Sequence, residues 1–313
     1  MALTISVATL TYGERKEFLY QTVDELLNQN FEQIYIYCNG ISLPYFQEIS
    51  EKYQQSNINL LYSGKNLGSA GGYYELLKHV TENDHADHLL LLDDDNLIPS
   101  NCVEAITNLT INDDELYYFH RPDRVLPKIA KELNKPEYVL GSTNSFLGRD
   151  FFTFFSNSNT KYKGDLAAAP YGGLLLSRKA LDTGVLPKKE LYLYADDYEY
   201  TYRLVTQYGF QITFSDNIEI EDLEKSFHLK KGNRVLSNRY SHSSEVQLYY
   251  SVRNNTWLGL NRCQSKLLFL SNLCIFSPVY LGQFLLNMQF QSIKTFSKAL
   301  KDGFSLYLSV KGN

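Results

Sequence analysis

Along the first two-thirds of the chain, short apolar runs alternate with segments whose apolar residues recur every three or four positions. Ile5 to Leu10 reads as a strand, after which Phe18, Thr22, Val23, Leu26 and Leu27 recur at helical spacing. Ile34 to Tyr37 reads as a second strand, closed by Cys38-Asn39-Gly40. Leu60 to Ser63 reads as a third, followed by the glycine-rich stretch from Asn66 to Gly72 and a helix from Tyr73. Leu89 to Leu92 is an unbroken apolar run, as a strand buried on both faces requires, and it leads straight into Asp93-Asp94-Asp95. Alternation of this kind predicts an α/β fold with a mostly parallel, Rossmann-like sheet flanked by helices. Ligands of such sheets sit at the carboxyl ends of the strands. The glycine-rich stretch and the three aspartates both follow strands, so they are expected on one edge.

Further on, Phe151 to Phe155 and Gly172 to Ser177 read as strands, and a helix is expected from Asp196 to the terminating Gly209. Phe210 to Phe214 reads as another strand. Residues 222–245 are polar and irregular, and from Val246 the pattern is helical to the end. The expected organisation is a catalytic domain over 1–245 and a C-terminal helical region over 246–313.

Composition narrows the function. A net charge of −5 lacks the basic face that a nucleic-acid partner demands. The four cysteines have neither CxxC spacing nor clustering, which argues against a disulfide framework or zinc site and for a reducing, cytoplasmic setting. The N-terminus has no basic run ahead of its short apolar stretch, and reads as a strand, not a leader. Leu267 to Ile293 contains no charged residue. Ser271, Asn272, Ser277, Gln283, Asn287, Gln289 and Gln291 interrupt it, at a cost in hydrocarbon that favours peripheral contact with the inner face of the cell membrane over a span. Oligomeric state is left open.

The chemistry-bearing residues fall in three groups. Asp93, Asp94 and Asp95 put like charges at the end of a buried strand, where repulsion is costly unless a cation or donors compensate. In an extended chain Asp93 and Asp95 point to one side, as a single hard divalent ion requires. The bland alternative is an acidic turn capping a helix near Pro99. In the second group, Asp196 and Glu199 have capping-box spacing, and Glu199 and Arg203 are placed to pair along the helix. Asp197 is then left in the first turn, where the helix dipole favours its anion and a carboxylate can accept a hydroxyl proton. An ordinary capped helix would look the same. In the third, Asn66 to Gly72 offers glycines for close approach to a ligand but is neither GxGxxG nor a phosphate loop.

The order of these motifs resembles the nucleotide-sugar glycosyltransferases of family two, most nearly the galactofuranosyltransferases of bacterial cell-wall and polysaccharide synthesis. The resemblance is carried by Thr9-Leu-Thr-Tyr12, Asn66 to Gly72, Asp93-Asp-Asp95, Tyr171 to Arg178, Asp196-Asp-Tyr-Glu199 and Tyr250-Ser-Val-Arg-Asn254. Ala299 to Gly303 is similar to the tail of such enzymes. It implies a GT-A fold and an inverting hexosyl transfer from a nucleotide-sugar donor, UDP-linked, to a glycan or lipid-linked glycan acceptor. It further implies Mn²⁺ or Mg²⁺ on Asp93 and Asp95, with Asp197 as general base and Asp196 beside it. Thr11, Cys38, Asn39, Asn66 and Gly68 would line the uridine pocket, Asp94 would face the donor, and Arg253 would reach phosphate or acceptor.

Two positions depart from the family. Cys38 stands where an Asp is usual, and the usual histidine ligand falls by count on Asp222, with His228 as the alternative. A rhamnosyl or other hexosyl donor fits the same residues. A nucleotidyltransferase would need a basic glycine-rich loop near the N-terminus, where this chain has Leu10 to Lys16 with one glycine. A non-catalytic scaffold on this fold would tolerate loss of the acidic groups, and both are intact.

Overall fold

The computed structural model describes residues 3–155, 162–224 and 238–311. They divide into two compact units. The first comprises Met1–Val139, Tyr162–Tyr192 and Asp196–Glu224; the second comprises Leu140–Lys161, Leu193–Ala195 and Lys225–Asn313. Residues on both sides of position 245 therefore build the second unit, where the sequence pattern alone had implied one cut there.

The first unit is built on strands β1 (Ile5–Thr11), β2 (Ile34–Asn39), β3 (Ile58–Ser63), β4 (His88–Asp93), β6 (Glu115–His120), β7 (Leu174–Ser177) and β8 (Gln211–Glu219), in the order β3-β2-β1-β4-β7-β6-β8. Neighbours run parallel except at β7, which is antiparallel to both β4 and β6. β1 and β4 lie at the centre, and every residue of β1 is buried, so no side of these strands faces water. Helices α1 (Lys16–Leu27), α2 (Leu43–Lys52), α3 (Gly68–Asn83), α4 (Cys102–Thr107), α5 (Val125–Glu132), α6 (Arg178–Leu181) and α7 (Asp196–Tyr208) connect the strands. Leu19, Thr22, Val23 and Leu26 are the buried face of α1, as their spacing requires. Short strands β5 (Asn96–Leu97) and β9 (Glu221–Asp222) pair beside the end of β4 and bring Asn96 opposite Asp222.

Three expectations are corrected. Phe151 to Phe155 forms no strand; it bends and closes in a 3₁₀ turn over Thr153–Phe155. The helix expected from Tyr73 starts at Gly68, so the glycine run is its first turn and a half. Asp94 and Asp95 leave the extended strand for a turn, so no strand alternation aligns Asp93 with Asp95.

In the second unit, α8 (Glu245–Arg262), α9 (Lys266–Leu286) and α10 (Phe290–Lys311) pack together. A capping box between Ser244 and Gln247 opens α8. Phe146, Phe269, Tyr280, Phe284 and Phe296 form its aromatic core. Arg262 and Asn272 hold the 140–150 segment by donating to Leu140, Ser142 and Asn144 carbonyls.

Candidate active site

The aspartates emerge where β4 ends; Asp94 and Asp95 share Arg15, and Asp93 faces Arg121. Asp94 turns inward, accepting from Thr11 Oγ1 at 2.8 Å and from Arg15 Nε at 2.9 Å. Burial nevertheless dominates, pushing its carboxyl up to about 7 against the pull of Arg15 and Thr11. Asp95 lies 3.4 Å from Arg15 Nη2, and burial, reinforced by the charge of Asp93, raises it to about 6. Asp93 is the more open of the three, with Arg121 Nη1 at 3.1 Å. Its amide donates to Asn96 Oδ1, which shapes the turn.

Arg121 is a buried hub. It donates through Nε to Asp222 Oδ1 at 2.8 Å and through Nη1 to the Gly172 carbonyl at 3.1 Å, while Nη1 also faces Asp93. A Cβ on Gly172 would lie 2.2 Å from Arg121 Nη1 and 2.5 Å from Asp93 Oδ2, so only glycine fits between them. Asp222 also receives Asn96 Nδ2 at 2.9 Å and lies 3.6 Å from Arg124 Nε. Expected by count as the third metal ligand, Asp222 has a side chain only 3% exposed that pairs with Arg121 and Arg124. His228 lies outside the described residues.

Asp93 and Asp95 fit a hard cation in chemistry. Both offer carboxylate oxygens, and Asp93 with Asp222 raises Asp95, repulsion that a divalent ion would relieve. Among the described residues no group of three or more His, Cys, Asp or Glu is arranged to hold a metal, which limits the fit to this pair.

Asp196 and Asp197 open α7. Ala195 before them has φ 62°, and Tyr192 and Tyr194 also sit in the left-handed region, three non-glycine residues in costly geometry just ahead of two carboxylates. The expected capping box is not made, because both oxygens of Glu199 go to Arg203. Asp196 is buried, with Oδ1 accepting from Ser69 Oγ at 2.9 Å. Burial, then the charge of Asp197, pushes its carboxyl well above the usual range. Asp197 is half-buried and accepts from the Tyr198 amide at 2.8 Å. Burial raises it and the Tyr198 amide pulls back, while the charges of Asp93 and Arg124 reach it. That coupling ties the start of α7 to the end of β4.

The residues expected to line the donor pocket are tied to one another. Asn39 donates to the Gly68 carbonyl at 2.9 Å and accepts from the Leu67 amide at 2.8 Å, clamping the loop ahead of α3. Asn66 Oδ1 accepts from the Gly68 amide. Gly68 has φ 71°, and a Cβ there would lie 1.9 Å from the Tyr192 carbonyl oxygen. Cys38 points into the hydrophobic core with Ile34 and Ile36, and burial raises its thiol to about 12. Its side chain is therefore a packing group, not a pocket lining. Arg253, in the second unit, donates to Asn254 Oδ1 and lies over the Tyr250 ring at 4.7 Å.

Arg15, Arg121, Arg124 and Ser69 escaped the reading of the sequence. Arg15 and Arg121 each follow a strand that feeds the same sheet edge, the one signal that marked them. A cavity of about 460 Å³ lined by Tyr37, Tyr62, Glu75 and His79 lies on the β2–β3 and α3 surface and includes none of the aspartates described above. The arrangement thus concentrates carboxylates and arginines at the carboxyl edge of a parallel sheet, suited to a polyanion with its counter-cation, with a carboxylate base alongside.

The comparisons with known proteins bear on the family and the fold. A glycosyl transferase family 2 domain matches residues 6–172, more than half of the chain. A search among curated protein sequences returns no match. Among solved structures, GalNAc-T7 with UDP, GalNAc and Mn²⁺ superposes with a TM-score of 0.53 at 12% identity, covering 81% of this chain. The chain spans about half, 47%, of that protein's length. TarS 1–349 of S. aureus, in complex with UDP-GlcNAc, gives a TM-score of 0.48 at 11% identity, covering 96% of this chain and 91% of that one. With a mostly parallel sheet of GT-A type, and a family domain that runs from β1 past the aspartates to Gly172, the chain belongs to glycosyl transferase family 2.

Proposed function

We propose that the chain is an inverting glycosyltransferase that moves galactofuranose from UDP-galactofuranose to a hydroxyl of a glycan or lipid-linked glycan in bacterial polysaccharide synthesis. One observation carries the reading: the half-buried Asp197 at the start of α7 lies within electrostatic reach of Asp93 at the end of β4. Asp197 takes the acceptor's hydroxyl proton as that oxygen attacks the anomeric carbon from the side opposite the diphosphate. The carbon–oxygen bond to phosphate breaks, and the diphosphate leaves with the electron pair. Asp93 and Asp95 would hold Mn²⁺ or Mg²⁺, which would supply neutralising charge for that diphosphate. Arg15 and Arg121 hold the aspartates apart and in place, and the buried Asp196 positions its neighbour. GalNAc-T7, similar in fold, is known with UDP and Mn²⁺, which supports the choice of donor carrier and ion. A lipid-linked acceptor places the enzyme at the inner face of the cell membrane.

The test is a panel of nucleotide sugars incubated with the protein and Mn²⁺, with donor hydrolysis as the readout. UDP-galactofuranose is expected to be consumed fastest. Preference for a rhamnosyl or UDP-pyranose donor replaces the sugar in this reading and leaves the mechanism. No hydrolysis of any donor, with or without acceptor, removes the reading altogether.

A further inference from the structure

Helix α9 is inside out. Its buried positions include Asn272, Ser277 and Gln283, alongside Phe269, Tyr280 and Phe284. Its outward positions are apolar: Leu267 is 75% exposed, Leu285 57% and Leu286 69%, with Leu270, Ile275 and Val279 exposed between them. At 100° per residue these form one continuous stripe, and a helix of this length carries it over about 30 Å. Met288 and Phe290, both exposed, extend it.

A stripe of this size calls for an occupant, and charge selects it. Between Asn238 and Asn313 eight lysines and arginines stand against two carboxylates, although the whole chain carries −5. Lys266 opens α9, and Lys294, Lys298 and Lys301 are exposed on α10, which packs against it. Two copies of this unit would bring like charges together, which disfavours self-association through the stripe. A surface that is apolar within and negatively charged at its face takes both features at once. A span is disfavoured by the opposite side of the helix. There Asn272 donates to the Asn144 carbonyl at 2.9 Å and to Asp150 Oδ1 at 2.7 Å, groups of an irregular segment that lipid would not tolerate.

We propose that the outward stripe of α9 docks the second unit onto an anionic phospholipid surface. The inference rests for its purpose on the membrane-side acceptor proposed above, but its test reads binding without sugar transfer, so either can fail alone.

The full chain is sedimented with vesicles of phosphatidylcholine alone, or of phosphatidylcholine with about a third phosphatidylglycerol, at low and high salt. Binding to the anionic vesicles is expected to be at least about tenfold stronger and to fall with salt. Ile275→Glu with Val279→Glu should lower it on the order of tenfold, leaving donor hydrolysis and melting temperature unchanged. The milder Ile275→Ser, and Lys294→Gln with Lys298→Gln, serve if the charged pair fails to fold. Tyr208→Ser, which removes an exposed ring from the first unit, should change nothing. Equal binding to both vesicle types overturns the proposal, as does no binding to either. A wild-type dimer that Ile275→Glu splits, without vesicle binding, makes the stripe a contact between copies. Release from native membranes by detergent but not alkaline carbonate makes α9 a span.

Discussion

Asp196 is buried with one oxygen on the Ser69 hydroxyl, and Asp197, one position on, is half-buried with one oxygen on the Tyr198 amide. That difference of environment divides their proposed roles. Asp197→Asn keeps the size and the amide hydrogen bond but removes the proton acceptor. It is expected to lower kcat on the order of 10²–10⁴, with donor affinity from titration calorimetry nearly unchanged. Full activity in that variant, with Asp196→Asn inactive, would exchange the two roles. Asp196 also makes a pH prediction. Its folded pKa lies above the unfolded value of about 3.9, so the folded state holds the extra proton. Stability is therefore greatest below that unfolded value and declines as pH rises toward the raised folded pKa, by up to about 1.4 kcal/mol per pH unit inside the window. Asp196→Asn carries no such proton. Melting curves from pH 5 to 9 should show wild type losing ground to the variant as pH rises, and parallel curves would show that burial does not raise Asp196.

At the scale of elements, the loop from Asn66 into α3 is a small machine of mutual constraint. Asn39 on β2 grips the loop from one side, and the Tyr192 carbonyl accepts from the Ala70 amide on the other. Gly68 is the place where these meet. Gly68→Ala forces an L-residue into φ 71° and drives a Cβ onto the Tyr192 oxygen. Gly184→Ala is the control, since φ is +69° there and nothing lies within 4 Å of the added Cβ. Chemical denaturation should show a cost of about 1–2 kcal/mol at Gly184, the backbone strain alone, and a distinctly larger one at Gly68. Equal costs would mean that Tyr192 moves aside freely. The sequence marked this stretch as glycine-rich and placed a helix after it. The helix begins five residues earlier than expected, because its first turn is packed against Tyr192, more than 100 residues away in the chain.

For the molecule as a whole, the carboxylates of β4 and the arginines facing them set a balance that ion removal should disturb. Activity is expected to vanish in EDTA and return with Mn²⁺ or Mg²⁺, and Asp95→Ala should lose donor binding measured by calorimetry. Undiminished turnover in chelator would remove the metal from the proposal. Arg121→Lys probes the same balance. A lysine cannot bridge Asp93, Asp222 and the Gly172 carbonyl together, so the variant should lose stability by about 3 kcal/mol or more as buried carboxylates go unpaired. A melting temperature within a degree of wild type would contradict that hub role.

Much of this protein could be read from local pattern. Runs such as Leu89 to Leu92 declare a strand buried on both faces, because nothing else accommodates four leucines ahead of three aspartates. The alternation of strands and helices then places the glycine-rich stretch and the three aspartates on one edge, and the order of motifs points to the family. What the pattern could not decide were the partners, since these depend on residues distant in sequence meeting in space. By count, Asp222 fell on the family's metal-ligand position, and only the β5–β9 pairing shows it delivered to Asn96 and Arg121. Cys38 was a pocket residue by alignment of motifs, yet strand alternation in the folded sheet turns it into the core. Helix α9 had the apolar content of a membrane segment, and only packing showed that its polar residues face inward and its leucines outward. Composition and periodicity are properties of a segment, whereas charge pairing, burial and exposure belong to the fold that the segments make together.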